Sequence, residues 1–164
     1  MKVRTRIAPS PTGFFHIGNA RTALFNYLFT KKLNGEFFLR IEDTDIERSK
    51  KEYEDDIISG LKWLGLNWDG KIVHQQEQAP VHKRYLKNLL KSGQAFYCFH
   101  TQDELKEEQK EQETHKIPYK HDCDHKNSQK GENGVIRLAN PQQDISFADL
   151  IRGQVSFESA LLGD

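Results

Sequence analysis

The sequence lacks the features that mark secreted, membrane-bound and disulfide-stabilised proteins. Only two of its 164 residues are cysteines, Cys98 and Cys123, too few and too widely spaced for a disulfide framework. No apolar stretch approaches the roughly 20 residues that cross a membrane, and the N-terminal segment lacks the apolar core and cleavage site of a signal peptide. We therefore expect a cytoplasmic protein that has no membrane partner and whose cysteines are free thiols or metal ligands.

Two common nucleotide-binding motifs are also missing. Neither the GxxxxGK[ST] phosphate loop nor the GxGxxG dinucleotide fingerprint occurs in the sequence, which weakens generic kinase and dehydrogenase interpretations. The formal net charge is zero, which argues against a simple polycationic nucleic-acid binder. With 36% hydrophobic and 29% charged residues, the composition is that of a polar but folded globular chain.

Strands and helices alternate in the first part of the sequence. Residues 2–8 predict a strand, because Val3 and Ile7 precede a loop that begins with proline. Helical spacing of apolar residues follows over 17–33, a short apolar run over 37–41, and a second helix up to Leu64. This order favours an α/β sheet with right-handed crossovers and amounts to half of a doubly wound fold.

The character of the sequence changes near residue 95. A third helix is predicted at about 80–90, followed by a strand near Ala95 and a solvated helix over 103–113. Three short strands are predicted beyond them, starting at Val135, Ile145 and Gln154. We therefore expect two domains, residues 1–95 and a smaller mixed α/β unit over 96–164.

The loop between the first strand and the first helix is the predicted ligand site. Ligands of doubly wound sheets bind beyond the carboxyl ends of the strands, and a helix N-terminus offers unpaired N–H groups to a phosphate. Gly18 removes a side chain where a base or ribose approaches closely, and His16 supplies a donor beside the phosphates. The loop thus suits transfer at the α-phosphate of a nucleotide.

Two long motifs carry a resemblance to a known family. The segment RIAPSPTG at residues 6–13, followed by HIGN at 16–19, resembles the HIGH signature of class I aminoacyl-tRNA synthetases. The segment FLRIEDTD at residues 38–45 is similar to the glutamyl branch in particular, and the resemblance extends over essentially the whole chain. It implies that residues 1–95 are the first half of a Rossmann-like catalytic domain, and that 96–164 are a truncated acceptor-binding insertion.

The resemblance assigns roles to residues of the first domain. Arg6, Ser10 and Glu42 are expected to bind glutamate, with Glu42 holding its ammonium group and Arg6 a carboxylate. The residues expected to contact ATP are Ala8, Pro9, His16 and Gly18, and the last two are the catalytic candidates. Asp45 is expected to meet the 3′ end of tRNA, although an acid after a strand is also a common helix N-cap.

Two cysteine–histidine pairs share one spacing in the second domain. A pair separated by one residue has both side chains on one face of an extended segment, and zinc commonly takes four such ligands; the pairs are Cys98 with His100 and Cys123 with His125. The family's acceptor-binding insertion often holds zinc through a similar pattern, with cysteine where His100 stands. Tyr119 and His121 are further candidate ligands, and unpaired cysteines beside surface histidines are the alternative without metal.

The activity that the resemblance implies is ATP-dependent ligation of L-glutamate to tRNA(Glu) through glutamyl-adenylate, by a monomer that uses ATP with Mg²⁺ and holds Zn²⁺. One alternative is the short paralogue that attaches glutamate to queuosine in a tRNA anticodon, but Thr44 and the long spacer between His100 and Cys123 favour the ligase. Another alternative is a non-catalytic tRNA-binding piece. The sequence contains no KMSKS-like loop and no anticodon-binding region, so we expect an N-terminal fragment of a longer enzyme.

This expectation predicts that the 164-residue chain alone does not aminoacylate tRNA. The family's ATP site is completed by a KMSKS loop. This sequence contains no such loop, so the residues that would bind the pyrophosphate product are missing. The measurement is ATP–pyrophosphate exchange with glutamate and tRNA. Robust turnover by the isolated chain would contradict the prediction.

Overall fold

The computed structural model describes residues 2–116, 119–124, 134–140 and 143–159. Contacts between Cα atoms fall into two compact units, residues 1–81 and 82–164, and each is described by itself. The division after residue 95 that the sequence suggested stays a prediction. None of the described helices is both long and apolar enough to span a bilayer.

The first unit is a parallel sheet with two connecting helices. Its elements are β1 (Arg4–Ile7), α1 (Ile17–Lys32), β2 (Glu36–Ile41), α2 (Lys51–Trp63) and β3 (Val73–His74). The strands lie in the order β1-β2-β3 and both pairs are parallel. The predicted α/β fold class is therefore confirmed, with β3 as an addition that is only two residues long.

The core of this unit lies on one face of β2. Phe37, Leu39 and Ile41 are almost completely buried, whereas the alternating residues Phe38 and Arg40 are half-buried. The side chains packed with them come from α2 and the neighbouring strand and include Ile57, Leu61 and Ile7. Because side chains alternate along a strand, this packing fixes which residues of β2 point away from the core.

The described part of the second unit combines two helices with two antiparallel strand pairs. Its elements are α3 (Ala79–Lys91, whose first residues precede the division), β4 (Ala95–Cys98), α4 (Gln102–Thr114), β5 (Val135–Leu138), β6 (Ile145–Asp149) and β7 (Gly153–Phe157). β4 pairs with β5, and β6 pairs with β7. At the start of α4, Thr101 and Glu104 form a capping box, which stabilises the first turn of a helix with almost no apolar face.

Candidate adenylation loop and metal centre

The loop between β1 and α1 lies where the sheet brings two strand ends together. In the parallel register Ile7 lies opposite Leu39, so the residues after both strands meet at one edge. The Glu42 amide donates to the Pro9 carbonyl at 2.9 Å, and the Lys50 amide donates to the Pro11 carbonyl at 3.0 Å. The loop is therefore tied to the chain that follows β2.

The other end of the loop is held by α2. The Phe15 amide donates to the Asp56 carboxylate at 2.7 Å, a charge-assisted hydrogen bond to a half-buried acid. The Phe15 ring packs against Gly60, where an added Cβ would lie 2.5 Å from the ring. Sequence analysis missed Asp56 and Gly60, because helical periodicity shows which helix face is apolar and not what its polar residues bind.

His16 is the N-cap of α1. Its Nδ1 accepts a hydrogen bond from the Gly18 amide at 3.1 Å. Because Nδ1 is an acceptor, the neutral ring carries its proton on Nε2, which is left to donate to a ligand. A Cβ on Gly18 would lie 2.9 Å from His16 Cε1, so glycine at this position also makes room for the imidazole.

The three predicted glutamate ligands lie on or beyond the ends of β1 and β2. Arg6 and Ser10 are exposed, and within the described residues neither side chain forms a hydrogen bond or ion pair. Glu42 is ion-paired with Arg40, which sequence analysis missed although the spacing of two along a strand places both on one side. Of the predicted ATP contacts beside them, Ala8 is half-buried and Pro9 is buried.

Asp45 caps a turn. One carboxylate oxygen accepts from the Arg48 amide at 3.0 Å and the other from the Arg48 guanidinium at 2.6 Å. These hydrogen bonds, the guanidinium contact first, lower the pKa of Asp45 below its usual value. The structure thus shows a capping role for Asp45, and its contact with tRNA stays a prediction.

The second unit gathers two cysteines and two histidines. Their four candidate ligand atoms all lie within 4.8 Å of one another, and the residues are Cys98, His100, His121 and Cys123. Cys98 Sγ lies 3.4 Å from His100 Nδ1 and 3.6 Å from His121 Nε2. Three of the four predicted ligands are therefore together with His121, and the fourth predicted ligand, His125, lies outside the described residues.

The other ring nitrogen of each histidine faces a carboxylate. His121 Nδ1 lies 2.7 Å from Glu108, and His100 Nε2 lies 3.5 Å from Asp124. Such outer carboxylates orient ligating imidazoles and fix their tautomers. The candidate ligand Tyr119 instead donates to Glu108 at 3.5 Å, and its pKa is raised, first by burial and then by that carboxylate.

The cluster favours the thiolate form of Cys98. Burial by itself raises the pKa of Cys98, but hydrogen bonds from His100, His121 and Cys123 outweigh that effect and lower it to about 5. The pKa of His100 is raised, first by its hydrogen bond to Cys98. A deprotonated sulfur beside oriented imidazoles is the donor set that binds a borderline-soft metal ion.

A family model extends over both units. The model of class I tRNA synthetases (E and Q), catalytic domain, matches residues 2–164. The chain belongs to this family. The membership accounts for a HIGN segment at the N-terminus of α1 on a parallel sheet, which the sequence resemblance had predicted.

Individual members of this synthetase family are similar along the whole chain. A glutamate–tRNA ligase of Prochlorococcus marinus (strain MIT 9215) is 47% identical over 99% of this chain and 36% of the relative. A glutamate–tRNA ligase of Aquifex aeolicus is 46% identical over the same shares. The chain thus spans about a third of the length of these relatives.

Solved structures of the family agree with the fold. A glutamate tRNA ligase from Elizabethkingia meningosepticum, in complex with its amino acid, has a TM-score of 0.84 and 34% identity, and the match covers 100% of this chain and 38% of that one. The synthetase from Elizabethkingia anophelis has a TM-score of 0.85 at the same identity and shares. The fold is therefore that of the N-terminal part of the synthetase catalytic domain.

The Asp56 anchor gives a direct prediction about this synthetase loop. In Asp56→Ala the Phe15 amide loses its acceptor, and a hydrogen bond to a charged group contributes about 1.5–3 kcal/mol. We expect hydrogen exchange of the Phe15 amide to accelerate about tenfold or more, measured by NMR.

The matched control for this experiment is Asp55→Ala. Asp55 is exposed on the same helix turn and binds Lys51 at 2.7 Å, so its removal changes the same charge without touching the loop. Equal Phe15 exchange rates in Asp56→Ala and the unmodified chain would show that the carboxylate does not hold the loop.

Proposed function

We propose that this chain contributes the first half of an adenylation site that ligates L-glutamate to tRNA(Glu) at the expense of ATP. The observation that carries the proposal is the anchored loop, which sets His16 and Gly18 at the N-terminus of α1 beside the carboxyl ends of β1 and β2. The names of the relatives support glutamate as the amino acid. The cytoplasmic location and monomeric state expected from the sequence belong to this proposal.

The first step forms glutamyl-adenylate. A glutamate carboxylate oxygen attacks the α-phosphorus of ATP, which enters with Mg²⁺, and the bond to the bridging oxygen breaks to release pyrophosphate. Negative charge grows on the phosphate oxygens, where the His16 Nε2–H and the first amides of α1 stabilise it. The chain's contribution is position and electrostatic stabilisation.

The residues proposed to bind glutamate contact oppositely charged groups of the amino acid. Arg6 has an exposed guanidinium with no protein partner within the described chain, which suits bidentate binding of a carboxylate. Glu42 offers a carboxylate to the ammonium group, and Arg40 holds that carboxylate in place. Ser10 adds a hydroxyl at the same sheet edge.

The second step transfers glutamate to RNA. A ribose hydroxyl of the terminal tRNA adenosine attacks the acyl carbon, and AMP leaves with the electrons of the mixed-anhydride bond while its phosphate takes up the hydroxyl proton. In this proposal Asp45 lies near the 3′ end of the tRNA, with its carboxylate already fixed by Arg48.

A stable sulfamoyl analogue of glutamyl-adenylate tests the site in the chain as it exists. We expect saturable calorimetric binding that weakens at least tenfold in Arg6→Ala, because the side-chain carboxylate of the ligand loses a charged partner. Arg4→Ala is the matched control, since Arg4 lies two residues earlier on β1 and pairs with Glu36. Absence of saturable binding, or equal loss in both variants, would contradict the proposal.

We further propose that the Cys/His cluster holds zinc. Zn–S bonds of about 2.3 Å and Zn–N bonds of about 2.0–2.1 Å in a tetrahedron separate sulfur from nitrogen by about 3.5 Å. The separations of 3.4 and 3.6 Å around Cys98 fit that shape, as does the 3.8 Å between Cys123 Sγ and His100 Nδ1. Four protein ligands leave no open position, so the metal would stabilise the unit and take no part in the reaction.

The fourth ligand of this zinc site is tested with two variants. His121 is buried within the cluster, so we expect His121→Ala to lower zinc content, measured by elemental analysis of protein purified without chelators. His125→Ala is the control and is expected to keep its zinc. Loss in His125→Ala alone would assign the position to His125, and absence of zinc from the unmodified chain would reject the site.

A further inference from the structure

Helix α3 carries a concentration of positive charge that the adenylation site does not use. Lys83, Lys87 and Lys91 recur every four residues, which aligns them along one side of the helix, and Arg84 lies next to this line. No aspartate or glutamate occurs between Glu77 and Asp103. We call these four cations the basic stripe.

The basic stripe is open to ligands. All four side chains are exposed, and none forms an ion pair within the described part of the chain. The Arg84 guanidinium lies 5.4 Å from the centre of the Tyr85 ring, which is itself 59% exposed. Unneutralised cations beside an exposed aromatic ring are the chemistry that contacts nucleic-acid backbone and bases.

Composition does not explain this charge. The whole chain has as many acids as bases, and the next helix along, α4, has an opposite balance, with acids at Asp103, Glu104 and four further positions and lysine only at Lys106 and Lys110. A solvated helix surface normally mixes both signs. The two described helices of the second unit therefore carry opposite charge.

We propose that the basic stripe contacts the phosphate backbone of tRNA. The proposal rests on the proposed function, in which tRNA is the substrate. From Lys83 to Lys91 the helix rises about 12 Å, so the three lysines follow one another at intervals of about 6 Å and can each contact a separate phosphate. The flexible lysine ammonium groups read charge and not sequence, so this contact contributes affinity and orientation.

The test is binding of fluorescein-labelled tRNA(Glu) to the 164-residue chain, measured by anisotropy between about 50 and 200 mM salt. The stripe variant combines Lys83→Gln, Lys87→Gln and Lys91→Gln. We expect its affinity to fall more than tenfold, and the slope of log affinity against log salt to decrease by about two to three. Binding of the glutamyl-adenylate analogue is expected to stay unchanged.

The matched control removes the same charge elsewhere, through Lys71→Gln, Lys106→Gln and Lys110→Gln, all at exposed positions. We expect its tRNA affinity to stay within about twofold of the unmodified chain. Charges that lie away from the contact are screened by salt, so the change in net charge alone has a small effect. Equal effects in the two triple variants would overturn the stripe while leaving the proposed function intact. Absence of tRNA binding by the unmodified chain would overturn both.

Competition with polyglutamate distinguishes binding of RNA from binding of any polyanion. Polyglutamate carries charge without phosphates or bases, so we expect it to compete far less well than unlabelled tRNA. Competition equal to that of tRNA would make the stripe a general anion surface, suited to an acidic protein segment, and would overturn its assignment to RNA.

Discussion

The parallel pairing of β1 with β2 is the constraint on which the candidate site depends. The register that sets Ile7 opposite Leu39 brings the segments after both strands to one edge, where the Glu42 amide binds the Pro9 carbonyl. A shift of one residue would turn Phe37, Leu39 and Ile41 out of the core. Burial of these three side chains therefore also determines where the glutamate-binding candidates stand.

Local sequence signals were sufficient for the elements of the first unit other than β3. The predictions rested on the apolar period of α1, the apolar run of β2 and the proline-rich loop. The predicted ends of these elements agree with the observed ends to within one or two residues. The two-residue strand β3 escaped detection, because Val73 and His74 carry no period of their own and become a strand only through pairing with Arg40 and Ile41. Such a strand is a consequence of tertiary structure.

Site residues could be predicted from the sequence only where the side-chain type itself indicates a specific chemistry. The cysteine–histidine pairs predicted a metal centre, and the observed cluster contains Cys98, His100 and Cys123. His121 was also a candidate ligand in the sequence, but its partner Glu108 lies 13 residues earlier in the chain, and spacing over such a distance predicts no contact. Likewise, nothing in the sequence distinguishes Asp56, which holds the Phe15 amide, from its neighbour Asp55, which lies in solvent.

Three consecutive residues of α2 face three different environments. Asp55 binds Lys51 at the surface, Asp56 binds the loop before α1, and Ile57 is buried in the core. Since a helix turns by 100° per residue, a shift of α2 by one position in one direction would place the Asp56 carboxylate in the core, and a shift in the other direction would place Ile57 against the loop. The rotational setting of this helix is thus fixed from both sides, because hydrophobic burial opposes one shift and the hydrogen bond to the loop before α1 opposes the other, and an insertion or deletion before Asp55 would break one of the two.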